Sequence, residues 1–330
     1  MNESAVGTMM VYCCGGTGIN IGKYFTTLRN KKERDGFANI KIAFIDTSLS
    51  NISSEIEKDE IYLVEGLDGS GKIRSENHKE IGESIHDVLL RYPPQDINIV
   101  LSSTSGGSGS VVAPLIVGEL LKREKNVIVS AVASLDSRIE VENSVKTLKS
   151  YEAIAQMRNT PVAMLAYENS AEKSRNEVND DARQDIIKIA ALFSKQNKEL
   201  DSADLRNWLN YPRVTKLEPK VVKVEFHNGP LQTHRVHIVT CATLAYENMN
   251  TNLGSTVDYQ CVGYIPSDNQ ESVALADAMH YLIVDGLIGD IYTRLSEALA
   301  KIDEQNMAKK RSTVSLVDAS DRVGGDGLVF

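Results

Sequence analysis

Five short apolar runs, residues 9–14 (MMVYCC), 40–46 (IKIAFID), 97–102 (INIVLS), 126–134 (NVIVSAVAS) and 161–167 (PVAMLAY), are separated by patterns long enough for crossover helices. No other feature limits the fold as much. Strands apolar on both sides must be covered on both faces, and parallel neighbours need long returns. The pattern therefore predicts an α/β chain with a mostly parallel sheet between helical layers. Helices are predicted over 19–30, 78–92, 110–123 and 139–157, the second carrying Ile81, Ile85, Leu89 and Leu90 on one face.

A polar opening followed by apolar spacing at Ile186, Ile187, Ile189, Ala190 and Phe193 predicts a long helix over 172–197. The pattern changes after Pro212. Residues 221–227, 232–245 and 256–265 read as strands, and 271–305 as helix with a break at Gly286 or Gly289. A smaller α+β domain with a mixed or antiparallel sheet is the expectation there.

A net charge of -9, with cations in short runs such as Lys31-Lys32 and Lys309-Lys310-Arg311, argues against a nucleic-acid surface. The opening MNESAVGTMM has no basic leader region, and no apolar run reaches the roughly 18 residues of a membrane span. A cytoplasmic protein without membrane contact is expected. Cys13, Cys14, Cys241 and Cys261 lack metal-ligand spacing and read as buried residues of a reducing compartment.

Four glycine-bearing or acidic loops follow the proposed strands: 15–18 (GGTG), 46–50 (DTSLS), 66–71 (GLDGSG) and 104–110 (TSGGSGS). Ligands bind an open parallel sheet at that edge. Glycine lets successive N–H groups converge on one oxyanion. Helices starting near Ile19 and Ser110 direct their positive ends there, and Thr104, Ser105, Ser108 and Ser110 add hydroxyls. A di- or triphosphate is the expected guest. Neither GGTGIN nor SGGSGS has the lysine of a Walker A loop, and CGGTGIN does not follow the GxGxxG dinucleotide pattern.

These loops resemble those of the tubulin/FtsZ superfamily. GGTGIN looks like its first nucleotide loop, SGGSGS is similar to its GGGTG[ST]G signature, and EGLDGSG looks like the loop that reaches the terminal phosphate. Length, the late helical segment and the tail resemble phage-encoded tubulins of the PhuZ type. The resemblance implies a Rossmann-like GTPase domain over 1–171 and a central helix with the loop after it over 172–210. A C-terminal α+β domain and helix would span 211–310, with a tail over 311–330. It also implies GTP or GDP with Mg2+, whose protein ligands stay unassigned.

By position, Gly15, Gly16, Thr17 and Gly18 would line the phosphates and Asn20 would bond the guanine. Asp46 falls in the second loop, and Gly66, Asp68, Gly69, Ser70 and Gly71 in the third. Gly106, Gly107, Ser108, Gly109 and Ser110 would wrap the diphosphate, with Thr104 and Ser105 leading in. Ser105 and Val111 replace the outer glycines of the signature. Arg138 and Glu140 resemble the sugar-facing loop, and Asn179 or Asp180 would face the base. An Arg/Glu pair solvating a helix end accounts for the former equally well.

Asp201 and Asp204 stand three apart where a helix begins near Ser202, a spacing that a helix cap alone explains. The stretch ELDSADLR is also similar to the family's synergy loop, NxDxxDxR, with Glu199 for the usual asparagine. That likeness implies that both acids polarise the attacking water in the next subunit's pocket, so that the GTPase site is completed by head-to-tail filament contacts. Asp318, Asp321, Asp326 and Leu328–Phe330 of the tail would add a subunit contact. Phage DNA, its compartment or a capsid is the implied cargo. Two alternatives remain open: a monomeric nucleotide-dependent α/β enzyme, for which His78 and His86 are chain neighbours of the pocket, and a GTP switch without turnover.

Overall fold

Alternate residues of the first strand, β1 (Thr8–Cys14), divide between two layers. Met9, Val11 and Cys13 pack with α1 (Gly15–Arg29), α5 (Arg175–Leu192) and α6 (Ser202–Leu209) on one face of the sheet. Met10, Tyr12 and Cys14 pack with α2 (His78–Arg91), α3 (Gly109–Lys122), α4 (Arg138–Arg158) and α7 (Leu287–Ser312) on the other. Neighbouring Cys13 and Cys14 are thus both free and buried but face opposite layers. Burial raises both thiol pKa values, which keeps them protonated. The computed structural model describes residues 6–29, 35–75, 77–169, 173–231 and 237–312. The tail contacts expected from Asp318, Asp321, Asp326 and Leu328–Phe330 lie outside the described residues.

The remaining strands are β2 (Asn39–Asp46), β3 (Ile61–Leu63), β4 (Ile97–Ser103), β5 (Val127–Ser134), β6 (Val162–Asn169), β7 (Val221–Asn228), β8 (Ile238–Ala245), β9 (Tyr259–Tyr264) and β10 (Met279–Val284). They form one sheet in the order β3-β2-β1-β4-β5-β6-β7-β10-β8-β9. The pairs from β3 to β7 are parallel, as the apolar runs predict. Beyond β7 the sheet is mixed: β10 runs antiparallel to β7 and β8, and β9 parallel to β8. This is a mostly parallel, Rossmann-like sheet between helices with a smaller C-terminal α+β region, and the sheet continues unbroken across the expected boundary at 211.

One expectation fails. Residues 271–305 are not a single helical stretch, because Met279–Val284 is a central strand and the helix starts only at Leu287. Tyr281 and Ile283 face one layer and Leu282 and Val284 the other, so MHYLIV is apolar on both sides. A doubly buried strand and a buried helix look alike in such a run. The strand expected over 256–265 is shorter, Tyr259–Tyr264, and the three-residue β3 had no recognisable pattern.

His280 on β10 is completely buried, with Nδ1 2.9 Å from Thr243 Oγ1. Burial, with nearby His227 adding to it, lowers the imidazole pKa to about 4. The unfolded chain takes up this proton first. The stability His280 contributes is therefore complete above about pH 6.5 and is lost as pH falls toward 4, a loss on the order of 3 kcal/mol. Thermal unfolding without nucleotide should show a steeper fall in Tm between pH 7 and 4.5 for wild type than for His280→Gln. Parallel curves would remove His280 as the cause.

Candidate functional site

The carboxyl ends of β1, β2 and β4 open into a cleft of about 330 Å³. It is lined by Gly15, Gly16 and Thr17 of α1, by Asp46, by Asp68, Gly69 and Ser70, and by Gly106, Gly107, Ser108 and Gly109. The first glycine stretch is not a loop: α1 starts at Gly15, directly after β1, rather than near Ile19. Gly15 makes that junction possible with φ 67°, and a Cβ on it would stand 2.8 Å from the backbone nitrogen of Gly109. A Cβ on Gly109 would in turn lie 2.5 Å from the Cys14 carbonyl. Two helix N-termini can approach this closely only without side chains. Their first-turn N–H groups have no partners four residues back, and both dipoles favour an anion between them.

Hydroxyls join the loops beneath that point. Thr47 Oγ1 and Ser108 Oγ are 2.6 Å apart, and Ser70 Oγ lies 3.1 Å from Ser108 Oγ. The backbone of Gly69 donates to the Thr47 carbonyl at 3.1 Å. Burial pushes the Asp46 carboxyl pKa up, against the bonds it accepts from the Thr47 N–H at 2.8 Å and Asn51 Nδ2 at 3.1 Å. Ser48 and Ser50 of the expected 46–50 loop also line the cleft, as does Asn51 just beyond it, which was not legible in the sequence, since a short polar turn after a strand has no distinguishing pattern. The cleft offers oxygen donors, and the described residues hold no cluster of three His, Cys, Asp or Glu side chains placed to bind a metal.

Other expected residues shape the cleft from behind. Gly18 packs on the sheet, where a Cβ would come within 2.4 Å of the Leu101 carbonyl. Ser110 Oγ donates to the carbonyls of Gly106 at 2.6 Å and Gly107 at 2.8 Å, curling the loop. Thr104 Oγ1 meets Ser144 Oγ on α4 at 2.9 Å, and the Ser105 N–H donates to Ser103 Oγ at 3.1 Å. Gly66 and Gly71 take φ of 75° and 52°, conformations that bend the third loop at low cost.

Asn20 stands on α1, and Asn179 and Asp180 on the first half of α5. Arg183 ties the helices by donating to the Asn20 carbonyl at 3.1 Å while pairing with Asp180 at 2.7 Å. Arg138 and Glu140 do not line the cleft. Arg138 pairs with Glu142 at 2.7 Å and with Asp303 of α7. Glu140 pairs with Lys72 at 2.7 Å and accepts from Ser137 Oγ at 2.8 Å. Burial disfavours its carboxylate, but these bonds outweigh burial and hold its pKa below the usual range. His78 and His86 line a separate groove among α2, α3 and α4.

Asp201 and Asp204 sit at the opposite pole. α5 runs back along the sheet to its amino edge, where the N–H of Gly7 donates to Ser194 O at 2.8 Å and Lys195 pairs with Asp96 at 2.6 Å. A seven-residue strand such as β1 spans about 23 Å, so the acids cannot reach their own cleft. Asp201 caps α6, accepting from the Ala203 and Asp204 N–H groups at 2.7 and 2.9 Å, and Asp204 Oδ2 accepts from the Asp201 N–H at 3.2 Å. Those N–H groups, Asp204 first, hold the Asp201 carboxylate pKa below its ordinary value. The Tyr259 hydroxyl donates to Asp204 Oδ1 at 2.7 Å, and buried Trp208 fixes α6 through a 3.0 Å bond to the Tyr281 carbonyl. Glu199 has φ 68°, a left-handed conformation that asparagine tolerates better than glutamate.

Residues 8–174 match the GTPase-domain model of the tubulin/FtsZ family. The chain is 28% identical to a phage tubulin-like protein of Pseudomonas phage PhiPA3, over 97% of this chain and 98% of that one. It is 27% identical to a phage tubulin-like protein of Pseudomonas phage phiKZ, over 97% of each. The solved protofilament of TubZ from bacteriophage PhiKZ superposes with a TM-score of 0.84 at 26% identity, over 98% of this chain and 99% of that one. The family match runs from the first strand to the threshold of α5, through every loop that builds the cleft, and the chain belongs to the tubulin/FtsZ family and carries its GTPase domain.

Proposed function

We propose that the chain binds GTP or GDP in the cleft, polymerises head to tail, and hydrolyses GTP with Asp201 and Asp204 of one copy acting on the nucleotide held by the next. The observation that carries this reading is the placement of the glycine-lined cleft and the capped acidic turn at opposite ends of one sheet. A heterologous contact between unlike poles repeats into an open filament. Leu49, Ile73 and Ile139, exposed by 64%, 48% and 40%, stand on the segments around the cleft and favour cover by another molecule. At the other pole Lys125, Arg206 and Arg213 surround a polar cleft near the acidic turn and offset the cost of bringing carboxylates toward a polyphosphate.

In this reading the first-turn N–H groups of α1 and α3 hold the phosphates, and Asn20 with Asn179 or Asp180 faces the base. The carboxylates of Asp201 and Asp204 orient the attacking water and accept its proton. The oxygen-rich set around Asp46, Asp68 and Asn51 fits Mg2+, which binds through few carboxylates, water and phosphate oxygens. When bound there it would neutralise phosphate charge. The tail from Arg311 to Phe330 is a second subunit contact in this proposal. The filament's role would be to position phage DNA, its compartment or capsids in the host cytoplasm. No helix of the described residues is long and apolar enough to cross a membrane.

Light scattering over a concentration series with magnesium and GTP, ATP or no nucleotide tests the reading. A threshold followed by a rise with GTP alone is expected, and a chain ending at residue 310 should need a higher threshold. A flat trace despite measurable GTP binding would favour a switch without assembly.

A further inference from the structure

The third loop is held by a helix that never lines the cleft. Lys72 takes φ 68°, a conformation costly for a residue with a side chain and stable only where its surroundings hold it. α4 grips Lys72 at two points. Asn143 Nδ2 donates to the Lys72 carbonyl at 2.8 Å, and Glu140 takes the Lys72 ammonium at 2.7 Å. The same Asn143 amide donates to the Ser105 carbonyl at 3.1 Å, so its two protons are divided between the third and fourth loops. Asn143 is only 2% exposed.

One turn on, Thr147 Oγ1 donates to the Thr104 carbonyl at 2.8 Å and is met by Arg74, whose guanidinium also donates to the Ser110 carbonyl at 2.9 Å. That carbonyl lies four residues before Pro114, which has no N–H to offer it, so Arg74 supplies the missing donor. The two loops interlock where this bracing ends: a Cβ on Gly107 would lie 2.0 Å from Ser70 Oγ and 3.1 Å from the Lys72 nitrogen.

We propose that Asn143 is a positioning residue that clamps the third glycine loop to the fourth, and that this closure is what lets the cleft favour a nucleoside triphosphate over a diphosphate. The inference rests on the reading of the cleft as a guanine-nucleotide site. A diphosphate is served by the N-termini of α1 and α3, which direct backbone packing at Gly15 and Gly109 holds together in addition to the single Asn143 bond to the fourth loop. A third phosphate also needs the donors of the third loop, and a loop bent at three glycines must be ordered at the ligand's cost unless it is already held.

The test is a titration of full-length Asn143→Asp with fluorescent GTP and GDP analogues, at protein concentrations below the assembly threshold. Aspartate keeps the shape, removes both donors and sets its oxygens against two carbonyls. GTP affinity should fall about tenfold or more while GDP affinity stays within about twofold. Asn143→Ser, which retains one donor, should show the same bias more weakly and covers the case in which the aspartate variant does not fold. An equal loss for both nucleotides, or no loss, overturns the clamp. Wild-type protein that binds neither nucleotide removes the nucleotide reading itself, and the clamp falls with it.

Discussion

Asp204→Asn is expected to bind GTP within about twofold of wild type while GTP turnover in the assembled state falls by roughly 10²–10³-fold, the range for losing a positioned general base or charge stabiliser. Asparagine is the informative replacement because Asp204 has a local task as well. Its side chain accepts the Asp201 N–H and the Tyr259 hydroxyl, and an amide oxygen can still accept one of these bonds. Losing the cap outright would cost about 1 kcal/mol, far less than global stability, so the fold survives. Filaments should form at a normal threshold and then persist, since hydrolysis, which would change the phosphate charge at the subunit contact and so weaken it, no longer follows. Phosphate release and light scattering recorded together separate the possibilities. Wild-type turnover in the variant, or full turnover by dilute unassembled wild type, would place the chemistry within one subunit.

The second large effect is Gly107→Val, which should abolish measurable GTP and GDP binding, a loss of at least 100-fold. The positions that its side chain needs are already taken: the Cβ site lies 2.0 Å from Ser70 Oγ and 3.1 Å from the Lys72 nitrogen. Ser70 can turn its hydroxyl away, but the Lys72 backbone is fixed by Asn143, so the third loop must swing outward. The Ser70–Ser108 contact breaks with it, and the anion site between the helix ends widens. Because the cleft is at the surface, the unfolding temperature should change little. Direct titration of both nucleotides checks this, and binding within tenfold of wild type would mean that the two loops yield independently. A Val at Gly106 has no such conflict, since the nearest atom to its Cβ site is Ser103 Cβ at 4.0 Å.

Local period and local chemistry carried much of this protein. The continuous apolar run of β1 marked a strand buried on both faces, the helical repeat of Ile81, Ile85 and Leu89 marked the inner side of α2, although Leu90, grouped with them, is exposed, and the glycine stretches marked where backbone must approach backbone. The sequence could also show that Asp201 and Asp204 share one side of a turn. It could not show that the turn lies a strand's length away from the cleft, because that distance comes from α5 running back along the sheet. Nor could it separate MHYLIV from a helix, since burial on both faces erases the periodicity that distinguishes them. Arg138 looked like a ligand-facing side chain until Asp303, 165 residues later, was placed beside it. Asn143 was hidden for the same reason: its partners at Lys72 and Ser105 lie 71 and 38 residues away. Spacing along the chain encodes which groups share a strand or helix face. Which loops one carboxamide can hold together is decided only when the sheet brings their ends to the same edge.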